Sequence, residues 1–254
     1  MTETTVNDFL GGRLRIRQPA QGYRAGVDPV LLAASVPARP GDSVLELGVG
    51  SGVALFCLMA RVPGLSAVGV ERNAQLARLA AKNAQANNLD AGIVEADFTE
   101  MPPDIRDMCF DHVIANPPFF DRSAGSASNS GSREDGRGEE TVLSEWVDTA
   151  IRRLKPRGNL SMIQRIERLP EVLSCLDQRV GDVTALPLAA RQGRQAKLFI
   201  VRAKKGTKGQ FRLLSPFILH SGQEHLRDGD DYSPKASSIL RDGGGLDLRA
   251  LVNM

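Results

Sequence analysis

The segment Asn116-Pro117-Pro118-Phe119 carries residue types that suit chemistry on a planar amino group. It follows the apolar run 110–115, which predicts a short strand. A strand cannot continue pairing through two prolines, because proline lacks a backbone donor and has a fixed φ. The residue before each proline is extended, so we expect a rigid backbone here. Such a backbone can direct an amide side chain, one or two carbonyls and an aromatic ring at one point.

Three glycines, Gly48, Gly50 and Gly52, lie between a predicted strand at 43–47 and a predicted helix at 53–61. Glycine lets a ligand approach the backbone, and the first amides of the following helix are free for electron-rich ligand atoms. The spacing differs from the GxGxxG pattern of dinucleotide-binding loops. A strand-to-helix turn that binds no ligand is the plain alternative.

Acidic residues stand at the ends of the next two predicted strands. Glu71 follows the second strand, where a carboxylate can accept from both hydroxyls of a ribose in the crevice outside the strand ends. Asp97 and Phe98 end the third strand, where the carboxylate could accept from an adenine amino group and the ring could cover the base. A dehydrogenase would also use the ribose carboxylate, but it would not need the Asn-Pro-Pro-Phe segment.

Strands and helices alternate through most of the chain. The predicted strands are 43–47, 65–70, 92–97, 110–115 and 159–163. The predicted helices are 28–36, 53–61, 73–88, 140–154 and 169–176. This order implies right-handed crossovers and a doubly wound α/β fold, with a mostly parallel sheet covered by helices on both faces.

The two ends and one internal segment depart from this pattern. Residues 196–203 and 210–214 predict an antiparallel C-terminal hairpin, and 13–18 predicts a half-exposed strand after a frayed start. The segment 121–140 is rich in Ser, Gly and charged residues and lacks large apolar side chains, which is typical of a flexible loop.

Composition excludes several classes of protein. The three cysteines are widely separated and the three histidines have no metal-ligand spacing, so we expect neither disulfides nor a metal site. No apolar run reaches membrane-spanning length and no signal peptide is evident, which favours a cytoplasmic protein.

Positive charge is concentrated near the C-terminus, although the net charge is only +2. No acidic residue occurs between Val183 and Gln223. The basic residues of this region are Arg191, Arg194, Lys197, Arg202, Lys204, Lys205, Lys208 and Arg212. Such a surface suits RNA phosphates, and a solvated basic surface without a ligand is the alternative.

The glycine loop, Glu71, Asp97 and the Asn-Pro-Pro-Phe segment, taken in order, resemble the class I S-adenosylmethionine-dependent methyltransferases that modify amino groups. The resemblance implies a Rossmann-like, mostly parallel seven-stranded sheet with S-adenosylmethionine as cofactor. It implies catalytic roles for Asn116, Pro117 and Phe119. The implied cofactor-binding residues are Tyr23, Arg24, Asp28, Glu46, Gly48, Gly50, Gly52, Glu71, Arg72, Asp97, Phe98 and Asn116.

The segment 21–33, which reads Gln-Gly-Tyr-Arg-Ala-Gly-Val-Asp-Pro-Val-Leu-Leu-Ala, is similar to the N-terminal signature of the valine-tRNA adenine-N6 methyltransferase family. This resemblance implies an RNA substrate, a tRNA whose adenine next to the anticodon is methylated. It implies an extension, 1–40, packed on the cofactor site of a methyltransferase domain, 41–254, with 121–140 as a flexible substrate loop. The predicted RNA-binding residues are Phe120, Arg191, Arg194, Lys197, Lys204, Lys205 and Lys208.

The mechanism expected from these residues needs no strong base. The Asn116 side-chain oxygen and the Pro117 carbonyl would accept the two amino hydrogens while Phe119 stacks on the ring. A glutamine N5 protein methyltransferase is one alternative, although only about forty residues precede the glycine loop. A DNA adenine methyltransferase and a non-catalytic RNA-binding module are the others, and the oligomeric state stays open.

Overall fold

A computed structural model describes residues 3–119, 142–222 and 231–253. The strands are β1 Thr4–Phe9, β2 Leu14–Pro19, β3 Ser43–Leu47, β4 Ser66–Glu71, β5 Ala91–Glu95, β6 Phe110–Ala115, β7 Leu154–Arg165, β8 Val180–Ala189, β9 Ala196–Lys205, β10 Arg212–Leu213 and β11 Phe217–Ile218. The helices are α1 Asp28–Ser35, α2 Val53–Arg61, α3 Ala74–Ala86, α4 Pro103–Arg106, α5 Leu143–Arg153, α6 Leu169–Cys175 and α7 Pro234–Asp242. The predicted loop at 121–140 and Phe120 lie outside the described residues.

The main sheet has the strand order β10-β8-β9-β7-β6-β3-β4-β5, and β11 also pairs with β8. Strands β3 to β7 pair in parallel, whereas β9 runs antiparallel between β7 and β8. Since β9 is antiparallel to both of its neighbours, β7 and β8 run in the same direction. The predicted α/β fold with a mostly parallel sheet is confirmed, and two short strands, β10 and β11, extend it.

At the ends of the chain, one prediction is confirmed with a different strand and the other was wrong. The antiparallel C-terminal hairpin is present, but β8 and β9 form it, whereas the predicted second strand, β10, pairs in parallel with β8. Residues before 13 are not frayed, since β1 pairs along its full length with β2. The alternation of exposed and buried residues in β2 places Leu14 and Ile16 in the core, and this burial stabilises the hairpin.

Each face of the sheet covers its own hydrophobic core. One core joins the β1–β2 hairpin to α1, α2, α3 and α7, with Leu31, Phe56 and Ile239 fully buried. The other joins the opposite face to α5 and α6 through Trp146, Val147 and other apolar residues. Within the described ranges, none of the helices has the length and apolar character needed to cross a bilayer.

Candidate active site

The parallel pairing of β4, β3 and β6 brings three predicted site segments to one edge of the sheet. The glycine loop follows β3, Glu71 ends β4, and Asn116 follows β6. The carboxyl ends of parallel strands form the crevice in which open α/β sheets bind ligands. The predicted cofactor and amino-group sites are therefore neighbours, with β3 between them.

All three glycines of the loop have positive φ, 65° at Gly48, 56° at Gly50 and 95° at Gly52, a region that strains other residues. A Cβ at Gly48 would lie 2.6 Å from the ring of Trp146, and one at Gly52 would lie 2.0 Å from the Phe56 ring. A Cβ at Gly50 would meet nothing within 4 Å. Packing thus requires the outer two glycines, while Gly50 borders open space.

Two carboxylates support this loop from different sides. Glu71 is buried and accepts from the amides of Gly50 and Asn73, both at 2.9 Å. Each Glu71 oxygen retains a further lone pair, as a ribose-binding carboxylate requires. Glu46 is also buried and accepts from the amide of Leu55 at 2.9 Å, in the first turn of α2. Glu46 therefore lies beneath the loop and fixes the start of α2.

Burial raises the pKa of Glu46 well above its ordinary range. The hydrogen bond from Leu55 opposes this shift, and the nearby charge of Glu71 adds to it. The physical cause is the loss of hydration, which disfavours the charged carboxylate.

The predicted adenine-binding pair, Asp97 and Phe98, has partners of its own. One Asp97 oxygen accepts from the Thr99 amide at 2.8 Å and the Thr99 hydroxyl at 2.7 Å. Phe98 is buried and packs against Trp146, with ring centroids 4.3 Å apart and planes at 54°. Trp146 thus supports both Phe98 and Gly48, a role that its position in an amphipathic helix did not reveal.

The N-terminal segment reaches the site through Tyr23. Nδ2 of Asn116 donates to the Tyr23 hydroxyl at 3.3 Å. Tyr23 is 64% exposed, yet burial of its hydroxyl end raises the pKa of the phenol. Arg24 donates to Asn7 at 3.1 Å, and burial raises the pKa of the half-buried Asp28. Arg72 is exposed beside Glu71.

The Asn-Pro-Pro-Phe segment presents a buried acceptor. Oδ1 of Asn116 is buried and has no hydrogen-bond partner among the described residues. Buried polar atoms are nearly always paired, so this oxygen is ready to accept from a ligand. The carbonyls of Pro117 and Pro118 accept from Nε2 of Gln164, a residue that no sequence motif indicated. Phe119 is half-buried beside them.

The β1–β2 hairpin is attached to the glycine loop by another residue that was not predicted, Asn83 in α3. Its amide oxygen accepts from the Arg17 amide, and its Nδ2 donates to the carbonyls of Arg17 and Ser51, all at 2.9 Å. Asn87 binds the amide and carbonyl of Arg15 in the same way, at 2.9 Å and 3.0 Å. Asn83 and Asn87 are four residues apart, a rise of about 6 Å along a helix, and Arg15 and Arg17 are two residues apart, about 6.8 Å along a strand. The similar spacings let both asparagines bind backbone groups at the edge of β2.

The family model of the methyltransferase small domain matches residues 25–191, more than half of the chain. The chain belongs to this family. This membership confirms the predicted enzyme class, a methyltransferase that uses S-adenosylmethionine.

Two relatives of the methyltransferase carry the same name, tRNA1(Val) (adenine(37)-N6)-methyltransferase. The protein of Porphyromonas gingivalis is 29% identical over 194 residues, which cover 70% of this chain and 75% of that protein. The protein of Shewanella loihica is 29% identical over 189 residues, which cover 67% and 74% respectively.

A crystal structure from Agrobacterium tumefaciens, described as that of a predicted O-methyltransferase, has a similar fold. The TM-score is 0.70 at 23% identity, and the match covers 87% of this chain and 98% of that one. At this identity the similarity concerns the fold, and it agrees with the doubly wound architecture.

The residues of the methyltransferase fit S-adenosylmethionine. The open space beside Gly50 and the remaining lone pairs of Glu71 provide a backbone cradle and a carboxylate for a ribose. When bound, S-adenosylmethionine supplies an electrophilic methyl group on a positively charged sulfur. Across the described ranges, no group of three or more His, Cys, Asp or Glu is placed to hold a metal ion.

The predicted RNA-binding residues of the methyltransferase divide between two edges of the sheet. Arg191, Arg194 and Lys197 lie in or near the loop between β8 and β9, at the edge that carries Asn116. Lys204 and Lys205 lie at the other end of β9, roughly 24 Å away along the strand, and Lys208 follows them. The structure therefore places the predicted RNA-binding residues at both ends of β9 and not at one.

Two of these cations also have protein partners. Arg191 forms an ion pair with Asp231 and donates to the carbonyl of Ser221. Nζ of Lys205 donates to the carbonyl of Leu154 at 2.7 Å. Arg194 and Lys197 are exposed, which leaves them accessible at the edge that carries Asn116.

Proposed function

We propose that the enzyme transfers the methyl group of S-adenosylmethionine to N6 of an adenine in tRNA, next to the anticodon. The observation that carries this proposal is the buried Oδ1 of Asn116 beside the glycine loop, which has no hydrogen-bond partner in the described part of the chain. The names of the relatives from Porphyromonas gingivalis and Shewanella loihica support the choice of substrate.

The chemistry follows from the hydrogen-bond acceptors of the Asn-Pro-Pro-Phe segment. The N6 lone pair of adenine is delocalised into the ring, so the nitrogen is a weak nucleophile. Hydrogen bonds from its two N–H groups to Asn116 Oδ1 and the Pro117 carbonyl favour a pyramidal nitrogen with a more available lone pair. These acceptors also stabilise the positive charge that grows on nitrogen during transfer, and the methylated nitrogen then releases one of its two protons to solvent. Phe119 would stack on the base, worth roughly 1–3 kcal/mol.

The N-terminal residues would complete the site. We propose that 1–40 form an extension packed on the cofactor site of the domain 41–254. The contacts of Asn83 with Arg17 and Ser51, and of Asn116 with Tyr23, support this arrangement. The predicted cofactor contacts of Arg24, Asp28, Arg72 and Asp97 remain part of the proposal.

The RNA would approach the edge of the sheet that carries Asn116. Arg194 and Lys197 lie there, and an anticodon-loop base is unpaired, so its extrusion requires little energy. Because the proposed substrate is a cellular tRNA, we also propose that the enzyme acts in the cytoplasm.

Product mapping with labelled S-adenosylmethionine tests the proposal. The substrates are a valine tRNA transcript, the same transcript with guanine in place of the adenine next to the anticodon, duplex DNA, and ribosomal protein. We expect N6-methyladenosine in the first transcript and none in the second. Label in DNA, or in a glutamine side chain of the protein, would overturn the proposal in favour of another amino-group substrate.

A further inference from the structure

Gln164 is a buried polar residue whose side chain contacts the Asn-Pro-Pro-Phe segment. It lies in β7 and is fully buried. Its Nε2 donates to the carbonyls of Pro117 at 3.4 Å and Pro118 at 3.3 Å. Its Oε1 accepts from the amide of Arg165 at 2.8 Å, which fixes the orientation of the side chain.

The prolines explain why a side-chain donor is needed here. The regular pairing of β6 with β7 ends at Ala115 and Met162. Beyond it, Pro117 and Pro118 have no N–H to contribute to the ladder, and the direction of their carbonyls is no longer set by strand pairing. A buried carbonyl without a donor is destabilised, and Gln164 supplies this donor.

We infer that Gln164 is a positioning residue for methyl transfer, because it orients the Pro117 and Pro118 peptide planes toward the substrate. The inference rests on the proposed function, in which the Pro117 carbonyl accepts an amino hydrogen. A carbonyl oxygen has two lone pairs, so Pro117 can accept from Gln164 and from the substrate together. A neutral amide suits the task, since an ionised carboxylate would repel both carbonyls.

The test compares Gln164→Met and Gln164→Glu with a control, Ser161→Ala. Ser161 is equally buried in β7, and its hydroxyl has no partner within the described ranges. Its loss should leave kinetics unchanged. Gln164→Met keeps the side-chain length and removes the donor. We expect its kcat with tRNA to fall roughly 10- to 100-fold, the factor that corresponds to loss of a buried hydrogen bond, with the Kd for S-adenosylmethionine unchanged.

Gln164→Glu separates positioning from packing through its pH profile. A protonated carboxyl can donate to the carbonyls, whereas the ionised group cannot. Because burial raises a carboxyl pKa, to about 8–9 in documented cases, we expect kcat to fall between about pH 6 and about pH 9 relative to the parent. Gln164→Met should show no such additional fall. Melting temperatures of all the variants identify any general loss of folding.

The possible outcomes distinguish this inference from the proposed function. If the parent enzyme forms no N6-methyladenosine, the proposed function fails. If the parent is active and Gln164→Met retains its kcat, the positioning role is rejected. Weaker binding of S-adenosylmethionine by Gln164→Met, at unchanged kcat, would also reject it and would assign the residue to the cofactor site.

Discussion

The hydroxyl of Tyr23 accepts from Nδ2 of Asn116 at 3.3 Å, which joins the N-terminal segment to the Asn-Pro-Pro-Phe segment. An amide that points its nitrogen at Tyr23 must point its oxygen away. That oxygen, Oδ1, is the buried atom without a partner among the described residues. The contact therefore determines which end of the Asn116 side chain would face the substrate in the proposed reaction.

Substitution of Tyr23 by Phe should disturb this orientation while keeping the ring. We expect kcat to fall about 3- to 10-fold, because one neutral hydrogen bond contributes about 0.5–1.5 kcal/mol. Steady-state kinetics and calorimetric titration with S-adenosylmethionine provide the measurement. Weaker cofactor binding at constant kcat would instead support the role that the sequence predicted for Tyr23 in the cofactor site.

Substitution of Asn116 by Ala should abolish most of the catalysis and leave the fold intact. We expect a fall in kcat of roughly 100-fold or more, by analogy with the loss of one preorganised hydrogen bond to a transition state. Binding of S-adenosylmethionine, measured by titration, should remain. Turnover near the parent value would remove Asn116 from the mechanism.

Asn83 and Asn87 form a matched pair for testing the link between the hairpin and the glycine loop. Both bind the backbone of β2, but among the described residues only Asn83 also binds Ser51. We expect Asn83→Ala to lower the free energy of unfolding by about 1–3 kcal/mol, because its hydrogen bonds are buried or part-buried, and Asn87→Ala to lower it less, because the bonds to Arg15 are exposed. Only Asn83→Ala should weaken binding of S-adenosylmethionine. Equal Kd values for the two variants would contradict this coupling.

Glu46 should make stability depend on pH in a defined direction. Its pKa in the folded protein is raised well above 4.5 by burial, so the folded state binds more protons than the unfolded state above that pH. Stability should therefore fall as pH rises from the unfolded pKa toward the folded one. Glu46→Gln can still accept a hydrogen bond from the Leu55 amide, but its side chain does not titrate, so this pH dependence should disappear.

Melting temperatures measured across pH, for the parent and Glu46→Gln, test this directly. The variant should gain stability relative to the parent as pH rises. A constant difference between the two proteins would show that Glu46 does not titrate differently on folding. Titration with S-adenosylmethionine on the same samples tests the cofactor-binding role that was predicted for Glu46. If Glu46 only supports the loop from beneath, the Kd of Glu46→Gln should stay close to that of the parent.

The divided basic residues offer a test of where RNA binds. Arg194→Ala/Lys197→Ala removes two positive charges at the edge that carries Asn116, and Lys204→Ala/Lys208→Ala removes two at the opposite side. We expect only the first pair to raise the KM for tRNA and to reduce the dependence of binding on salt, by about one unit of slope per lost phosphate contact. Equal effects would indicate that tRNA covers both edges.

Short segments with local chemistry were predicted from the sequence. They are the Gly48–Gly52 turn, the carboxylate at Glu71 and the strand that ends at the prolines before Phe119. Each depends on neighbours in the chain, because the allowed φ of a residue, the missing N–H of proline and the end of a strand are local properties. The strand β8 was missed, and the partner of β9 was therefore assigned wrongly. Which strands pair is decided by the tertiary fold, and the sequence of one strand does not identify its partner.

The sequence by itself determined the class of chemistry, through residues that lie together in the glycine loop and in Asn116-Pro117-Pro118-Phe119. Only the tertiary structure decided how these segments are held. Asn83, Gln164 and Tyr23 act through hydrogen bonds to distant residues, and a single amide or hydroxyl leaves no periodic pattern to read. The direction of β9, set by pairing across the sheet, likewise decided which basic residues share an edge with Asn116.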